Sequence, residues 1–421
     1  METGVIIEGI DDYDEPETGT DTGGADEVDV TDESESESES ESESESEGGE
    51  ESQLPTFQCE LVDHLVIPVD DTVPEFNGLR RVIAVDAHGG TYLHNESPVA
   101  IELARIDLDG ALSWSVDLLP HVPNYNAFVN FLHVEGGAQG PVYALVPSGP
   151  GGYSDVLVAL ERETGSTLWT VPLDDFFRAN DALAVAPNGD AVVFGADLTQ
   201  SAGEDITYST IRLSAADGSE LWRYDDFITD RGGPPESVGV SPAGEVFNLV
   251  DTNDGGGIVV RRIGPAGILI DSLLGPDYIA SADGQVRTDG YGRLILDFST
   301  TMTDYSVRYD ADLEALDLFA PADYNPGARL QVHGAGDDEL LILQHTAALP
   351  AAESSFDLAV AVPGEPERCR VTETWPLVEP DNPYSDARLG ASRWTVDDEF
   401  VAALYEGEVS NVDFIHVFRT R

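Results

Sequence analysis

Two acidic turns have the make-up of a calcium loop. Asp251-Thr-Asn253-Asp254-Gly255 and Asp107-Leu-Asp109-Gly110 set carboxylates and an amide close together ahead of a glycine. Calcium takes about six to eight oxygens, and an EF-type loop closes with an acid at its twelfth position. Arg262 stands twelfth from Asp251, and ordinary β-turns use the same residue types. Eight histidines are scattered along the chain. His88 and His94 flank one expected hairpin, and His121 and His133 flank one connection between repeats. Imidazoles so placed can bind a metal or move a proton, and solvated or core histidines sit in the same places. Cys59 and Cys369 are the two cysteines, which offer one disulfide or two thiols and too few ligands for a metal site. Gly-x-Ser-x-Gly, the Walker loop and His-Glu-x-x-His do not occur. These residues lead to the expectation of no catalytic centre, no bound metal and no cofactor.

The elements that position these groups repeat. ELARIDLDGALSWSVDLL (102–119), DVLVALERETGSTLWTVPL (155–173) and STIRLSAADGSELWRYDDF (209–227) each read as a strand, a turn and a second strand. Trp follows the turn glycine by four residues in each: Gly110 and Trp114, Gly165 and Trp169, Gly218 and Trp222. The glycines lie 55 and 53 residues apart. Apolar residues alternate with a period of two and β-branched residues abound, so the units are strands. Recurrence in this range indicates a propeller or a related array. Seven units of four strands (A to D) are expected. The first begins at RVIAVDA and the others near Phe131, Ala182, Ser237, Gln285, Arg329 and Ser392. Residues 378–392 are expected to form a long connection without a strand. The last unit stops after its third strand at Arg421, while CELVDHLVIPV (59–69) reads as one strand without a partner. Joining the two closes the ring and removes open sheet edges. The fold class is therefore all-β, a seven-bladed β-propeller of four-stranded blades whose last blade is completed by the N-terminal strand.

Ahead of the propeller (57–421), residues 1–56 hold 22 acids and no base, including an unbroken Ser-Glu alternation from Glu33 to Glu47. Self-repulsion and the lack of apolar surface mark this segment as a disordered acidic linker. The other 365 residues carry 59 acids against 20 bases, all of them arginine. Such a field repels phosphates, so nucleic acid and anionic membranes are excluded as partners. No stretch approaches the ~20 apolar residues of a membrane span. The N-terminus also lacks a signal peptide. An acidic spacer ahead of a β domain resembles the segment after the lipidated cysteine of bacterial surface lipoproteins. The expectation is an extracytoplasmic protein (cell surface, periplasm or secreted) whose export signal and lipid anchor lie upstream of Met1.

The lines LVALERETGSTLWTVPL and IRLSAADGSELWRYD resemble the repeat of quinoprotein-type propellers, the pyrroloquinoline quinone-like repeat. Ala159-Leu160-Glu161, Thr164-Gly165 and Trp169 match it, as do Asp217-Gly218 with Trp222 and Asp109-Gly110 with Trp114. The likeness fades where Asp271 and Asp317 take the Trp position. In that family the Trp packs between blades, so Trp114, Trp169 and Trp222 are expected to be structural. The family's dehydrogenases carry adjacent cysteines and a calcium ion held by Glu, Asn and Asp, and this chain has no adjacent cysteines. The resemblance thus implies a fold without implying the chemistry. The connections from each D strand to the next A strand open on one face and are rich in Tyr, Arg, Asn and Asp. Tyr125, Arg178, Arg231, Tyr278, Tyr324, Tyr384 and Arg388 are the candidate ligand-binding ring, because Tyr and Arg dominate recognition. The expected role is a monomeric, non-enzymatic binding module or scaffold that takes a protein, peptide or glycan on this loop-rich face. The alternatives are a quinone-dependent dehydrogenase with degenerate motifs and a scaffold of outer-membrane assembly.

Overall fold

The computed structural model describes residues 57–72, 79–97, 100–122, 132–148, 154–173, 177–178, 182–197, 206–228, 235–251, 258–274, 283–289, 292–299, 304–310, 313, 315–319, 329–334, 340–347, 353–362, 368–376, 386–408 and 411–421. The acidic linker expected over 1–56 lies outside them. The described chain opens with β1 (Leu61–Pro68) and a four-residue helix, α1 (Val69–Thr72). Blade 1 is β2 (Leu79–Val85), β3 (Thr91–Ser97), β4 (Ala100–Ile106) and β5 (Leu112–Asp117). Blade 2 is β6 (His133–Gly136), β7 (Val142–Ser148), β8 (Ser154–Leu160) and β9 (Thr167–Pro172). Blade 3 has β10 (Phe177–Arg178), β11 (Leu183–Val185), β12 (Ala191–Asp197), β13 (Ile206–Leu213) and β14 (Glu220–Ile228). Blade 4 has β15 (Pro235–Val240), β16 (Val246–Asp251), β17 (Ile258–Ile263) and β18 (Leu269–Leu274). Blade 5 has β19 (Asp283–Thr288), β20 (Leu294–Ser299), β21 (Asp304–Tyr309) and β22 (Ala315–Phe319). Blade 6 has β23 (Arg329–Gly334), β24 (Leu340–Ala347), β25 (Glu353–Ala361) and β26 (Cys369–Pro376). Blade 7 takes β27 (Asp386–Trp394), β28 (Phe400–Glu408), β29 (Asn411–Thr420) and, last in its order, β1.

Every blade is an antiparallel meander, and the first strand of one abuts the first strand of the next: β27 on β2, β2 on β6, β6 on β11, β11 on β15, β15 on β19 and β19 on β23. These inner strands surround the axis. β1 pairs with β29 from Leu61 opposite Thr420 to Pro68 opposite Phe414, so the N-terminal strand closes the ring as expected. Two details differ from the expectation. The inner edge of blade 3 is broken into β10 and β11, both paired to β12. The inner strand of blade 7 begins at Asp386 rather than near Ser392, and its register shifts between Leu389 and Ala391. The bulge absorbs Gly390 and interrupts the alternation, so DARLG does not read as strand.

The core lies between blades. Val401, Ala403, Ile415 and Val417 of blade 7 meet Val85, Leu93, Ala104 and Ile106 of blade 1, with Ile67 of β1 in the same cluster. The tryptophans act across these seams, toward the following repeat. Nε1 of Trp114 donates to the Arg162 carbonyl (2.7 Å), Trp169 to Ala215 (3.0 Å) and Trp222 to Pro265 (2.9 Å). Each indole covers the turn glycine of the next blade. A Cβ on Gly165 would lie 2.7 Å from Trp114, and one on Gly218 2.8 Å from Trp169. Both glycines have positive φ, where a side chain is strained in any case. At the closing seam Leu65 of β1 does the same job, 2.8 Å from a Cβ on Gly110.

A second device ties the turn between the first two strands of a blade to its third strand. Arginine is the next-to-last residue of the third strand in five blades: Arg105, Arg212, Arg262, Arg308 and Arg419. Arg105 meets Asp86 and Arg212 meets Asp190, both at 3.1 Å, while Arg262 meets Glu245 and Arg419 meets Glu399, both at 2.8 Å. Asp86 is fully buried and accepts from the backbone of His88 and Gly90, the Tyr92 hydroxyl and Arg105. A buried charge with every lone pair filled is tolerated, whereas a half-filled one is costly.

The chain's two cysteines are joined: Cys59, just ahead of β1, to Cys369 at the start of β26, with Cα atoms 6.0 Å apart. Beside them Arg368 Nη2 donates to the Phe57 carbonyl at 2.5 Å. Blade 6 therefore holds the segment that closes blade 7.

Candidate functional site

The inner strands carry the groups that meet at the axis. Their next-to-last residues form one level of the ring: Ala84, Glu135, Ala184, Gly239, Arg287, His333 and Arg393 in blade order. The strand pattern explains the orientation. Val134, Val286 and Val332 are buried in the seams, so their neighbours Glu135, Arg287 and His333 point the other way. Arg287 Nη1 lies 3.1 Å from His333 Nε2, which lies 3.0 Å from Ser392 Oγ. Arg393 Nη1 donates to Glu135 Oε2 at 2.8 Å, reaching past blade 1 from blade 7 to blade 2. Glu135 is also 3.5 Å from His133 Nε2. Arg287 Nη2 donates to Gln285 Oε1 at 2.7 Å, and its Nη1 lies 3.5 Å from Asp297 Oδ2. Guanidinium, imidazole and hydroxyl from blades 5, 6 and 7 thus make one continuous arc.

The fields at this level are strong. Burial, then the nearby Arg287 and Arg393 guanidinium groups, push His333 well below the usual imidazole range, so it is neutral at pH 7. Burial works against the Glu135 carboxylate, but Arg393 and His133 outweigh it and hold it below its ordinary value. Glu135 is still 27% exposed along its side chain, as befits a group deep in the molecule but open toward the axis.

The charge of the inner strands runs opposite to that of the chain. They hold Arg80 and Arg81 on β2, Arg178 on β10, Arg287 on β19, Arg329 on β23, and Arg388 and Arg393 on β27. Their acids are Glu135, Glu236, Asp283 and Asp386. The whole chain has 81 acids to 20 bases. Arg80, Arg81, Arg178, Arg329 and Arg388 fall within the first three residues of their strands, at the end where the connections between blades open.

Of the candidate ring, Arg178 and Arg388 stand on inner strands, while Tyr125, Arg231, Tyr278, Tyr324 and Tyr384 lie outside the described residues. The acidic turn after Asp107 is an ordinary one. Asp107 takes an ion pair from Arg105, and Asp109 caps the Ala111 amide at 3.0 Å. Asp251 ends β16, and residues 252–257 lie outside the description. His88 lies 3.2 Å from the Ala138 carbonyl and His121 3.1 Å from Thr167 Oγ1, both of them contacts between blades 1 and 2. Among the described residues no three His, Cys, Asp or Glu side chains gather to hold a metal. Sequence reasoning missed the polar level at the axis, and a signal for it exists. His133-Val-Glu135, Ser237-Val-Gly239, Gln285-Val-Arg287 and Gln331-Val-His333 are one pattern at the same place in four blades.

No family model matches the chain, and no curated protein matches it. Several solved structures are similar in fold. A quinohemoprotein alcohol dehydrogenase from Comamonas testosteroni is 10% identical, with 87% of this chain and 76% of that one covered and a TM-score of 0.42. The WD40 domain of SCAP from fission yeast is 12% identical, covering 85% and 98%, with a TM-score of 0.41. The calcium-binding protein regucalcin from Agrobacterium tumefaciens is 16% identical, covering 68% and 85%, with a TM-score of 0.36.

Proposed function

We propose that this propeller is a non-catalytic binding module that works outside the cytoplasm and receives its ligand at the axis, through the end where the blade connections open. The observation that carries the reading is the arc of Arg287, His333, Ser392 and Arg393, which gathers hydrogen-bonding groups from three blades. Rigid strands present these groups, the setting in which recognition residues usually stand. Other buried charged pairs serve the turns, as Asp86 with Arg105 and Asp190 with Arg212 do. The disulfide supports export, because such bonds persist mainly in oxidising compartments. The two cysteines do not fit the vicinal pair of the quinone-dependent dehydrogenases, since they lie 310 residues apart and staple the rim.

Titration of the full chain with pyrroloquinoline quinone and calcium, followed by absorbance and by dye reduction with primary alcohols, tests the reading against the enzymatic one. Neither a bound chromophore nor turnover is expected, and dye reduction would overturn the proposal. Replacing Arg178, Arg231 and Tyr324 together is expected to abolish binding of whatever partner is captured at the loop end, with the fold retained by circular dichroism. Unchanged binding would remove these residues from the site.

A further inference from the structure

We infer that residues 61–66 of β1 form a latch on the ring that opens when two signals coincide: reduction of the Cys59–Cys369 disulfide and protonation at the His64–His416 pair. The inference rests on how the ring is closed, and it holds for a binding module and an enzyme alike. None of these six residues is buried; Val62 and Val66 are 39% and 43% exposed, and Ile67 is the first residue of the strand to enter the core. The strand stands at the edge of blade 7, with its backbone paired to β29. Both ends are fixed. Ile67 and Val69 are buried between blades 7 and 1. At the other end Phe57 is buried between blades 6 and 7, close to the disulfide. The seven residues between Cys59 and Ile67 make a short segment pinned at both ends, which can bulge but cannot peel. Once the bond is reduced, Phe57 and the hydrogen bond from Arg368 to its carbonyl hold that end without a covalent link.

The middle of the latch is a histidine. His64 stacks on Phe418 of β29 with ring centroids 4.2 Å apart, and its Nε2 lies 3.2 Å from His416 Nδ1. Trp375 of β26 packs against both imidazoles. A charge on each ring would place two cations in contact, where water cannot screen them. The carboxylates that face the pair are Glu406 on β28, 3.1 Å from His416 Nε2, Glu373 on β26, 3.5 Å from His64 Nδ1, and Asp63 on β1 itself. Burial and the neighbouring His416 outweigh Glu373 and Asp63, so the closed latch favours neutral His64. Peeling residues 61–66 returns His64 to water, where an imidazole takes a proton below about pH 6.5. Acid therefore draws the latch open by linkage. The reducing signal is a dithiol: its thiols become a disulfide, the Cys59–Cys369 bond breaks, and two electrons and two protons end on the cysteines as thiols. Both cysteines are half-buried at the rim, open to a small thiolate. Opening strips blade 7 to β27, β28 and β29 and bares the β29 edge, a template for a further strand.

The test is amide hydrogen exchange of the full chain, read by peptide mass, with exchange times scaled for the intrinsic effect of pH. The oxidised chain is compared with the chain reduced by dithiothreitol at about pH 8, the thiols being counted by mass. In the reduced chain, exchange over residues 61–66 should quicken at least about threefold between about pH 7.5 and about pH 5, while β7 and β8 of blade 2 keep their protection. In the oxidised chain the same step should have less than about half that effect. His64→Gln, which has no charge to gain, should make the reduced chain indifferent to the step. Should that variant fail to fold, the wild type still decides. The quickening must set in at about pH 6.5, where a freed imidazole titrates, and an onset only below about pH 5 would assign it to carboxylates and overturn the inference. So would a disulfide that dithiothreitol leaves intact in the folded chain, an equal acid response with and without the bond, an undiminished response in folded His64→Gln, or equal quickening over β7 and β8. These outcomes leave the non-catalytic reading standing. Quinone-dependent dye reduction would overturn that reading without touching the latch.

Discussion

Four side chains stand in a row at the seam between blades 6 and 7. Glu373 Oε1 lies 3.5 Å from His64 Nδ1, His64 Nε2 lies 3.2 Å from His416 Nδ1, and His416 Nε2 lies 3.1 Å from Glu406 Oε2. Burial, then the neighbouring His416, lowers the His64 pKa, against the pull of Glu373 and Asp63. His333 is shifted the same way by burial and two arginines. In both cases the unfolded chain takes up the proton first. The stability these groups contribute is therefore complete above the ordinary histidine pKa, about 6.5, and is lost as the pH falls through that value toward the lower folded one. The urea midpoint should drop between about pH 8 and about pH 5, and less steeply in His64→Gln and in His333→Gln than in wild type. Equal slopes in all three proteins would refute this assignment. None of this is visible in a sequence, because His64 and His416 are 352 residues apart and meet only when the ring closes.

At the scale of elements, alternation and turn glycines revealed the blades, and the stray N-terminal strand revealed the closure. What stayed hidden are the features that depend on a neighbouring blade. Gly165 and Trp169 look like partners in one repeat, yet Gly165 is covered by Trp114 of the repeat before it. The arginine at the end of the third strand was legible as spacing, but its acid comes from a turn about 20 residues upstream that varies from Asp86 in blade 1 to Glu399 in blade 7. Trp114 is 7% exposed, and Trp114→Ala should cost about 3–5 kcal/mol by urea denaturation, from lost contacts and the cavity. Gly165→Ala should also destabilise, because it combines a positive φ with the 2.7 Å approach to the same indole. Removing the staple with Cys59→Ser and Cys369→Ser should lower stability by about 2–4 kcal/mol. Reduction of the wild type should reproduce that loss and leave the double variant unaffected. A staple that contributed nothing would give the same urea midpoint with and without reductant.

The whole molecule carries a formal charge of −61, and its arginines are placed to hold the ring together against that charge. Pairs such as Arg105 with Asp86, or Arg212 with Asp190, are shielded from solvent and feel added salt little. The excess acids have no such partners in number and repel one another at a distance, which salt screens well. Composition foretold the sign of this field, but not the pairing of Arg393 with Glu135 across the axis, which appears only once the first strands are brought together. Raising NaCl from about 0.1 to about 1 M shortens the Debye length from ~10 to ~3 Å. The urea midpoint should therefore rise with salt. The rise comes from relief of the repulsion spread over the excess acids. A midpoint that fell with salt would mean that exposed pairs such as Arg421 with Glu60 dominate stability, contrary to the small contribution expected of surface ion pairs.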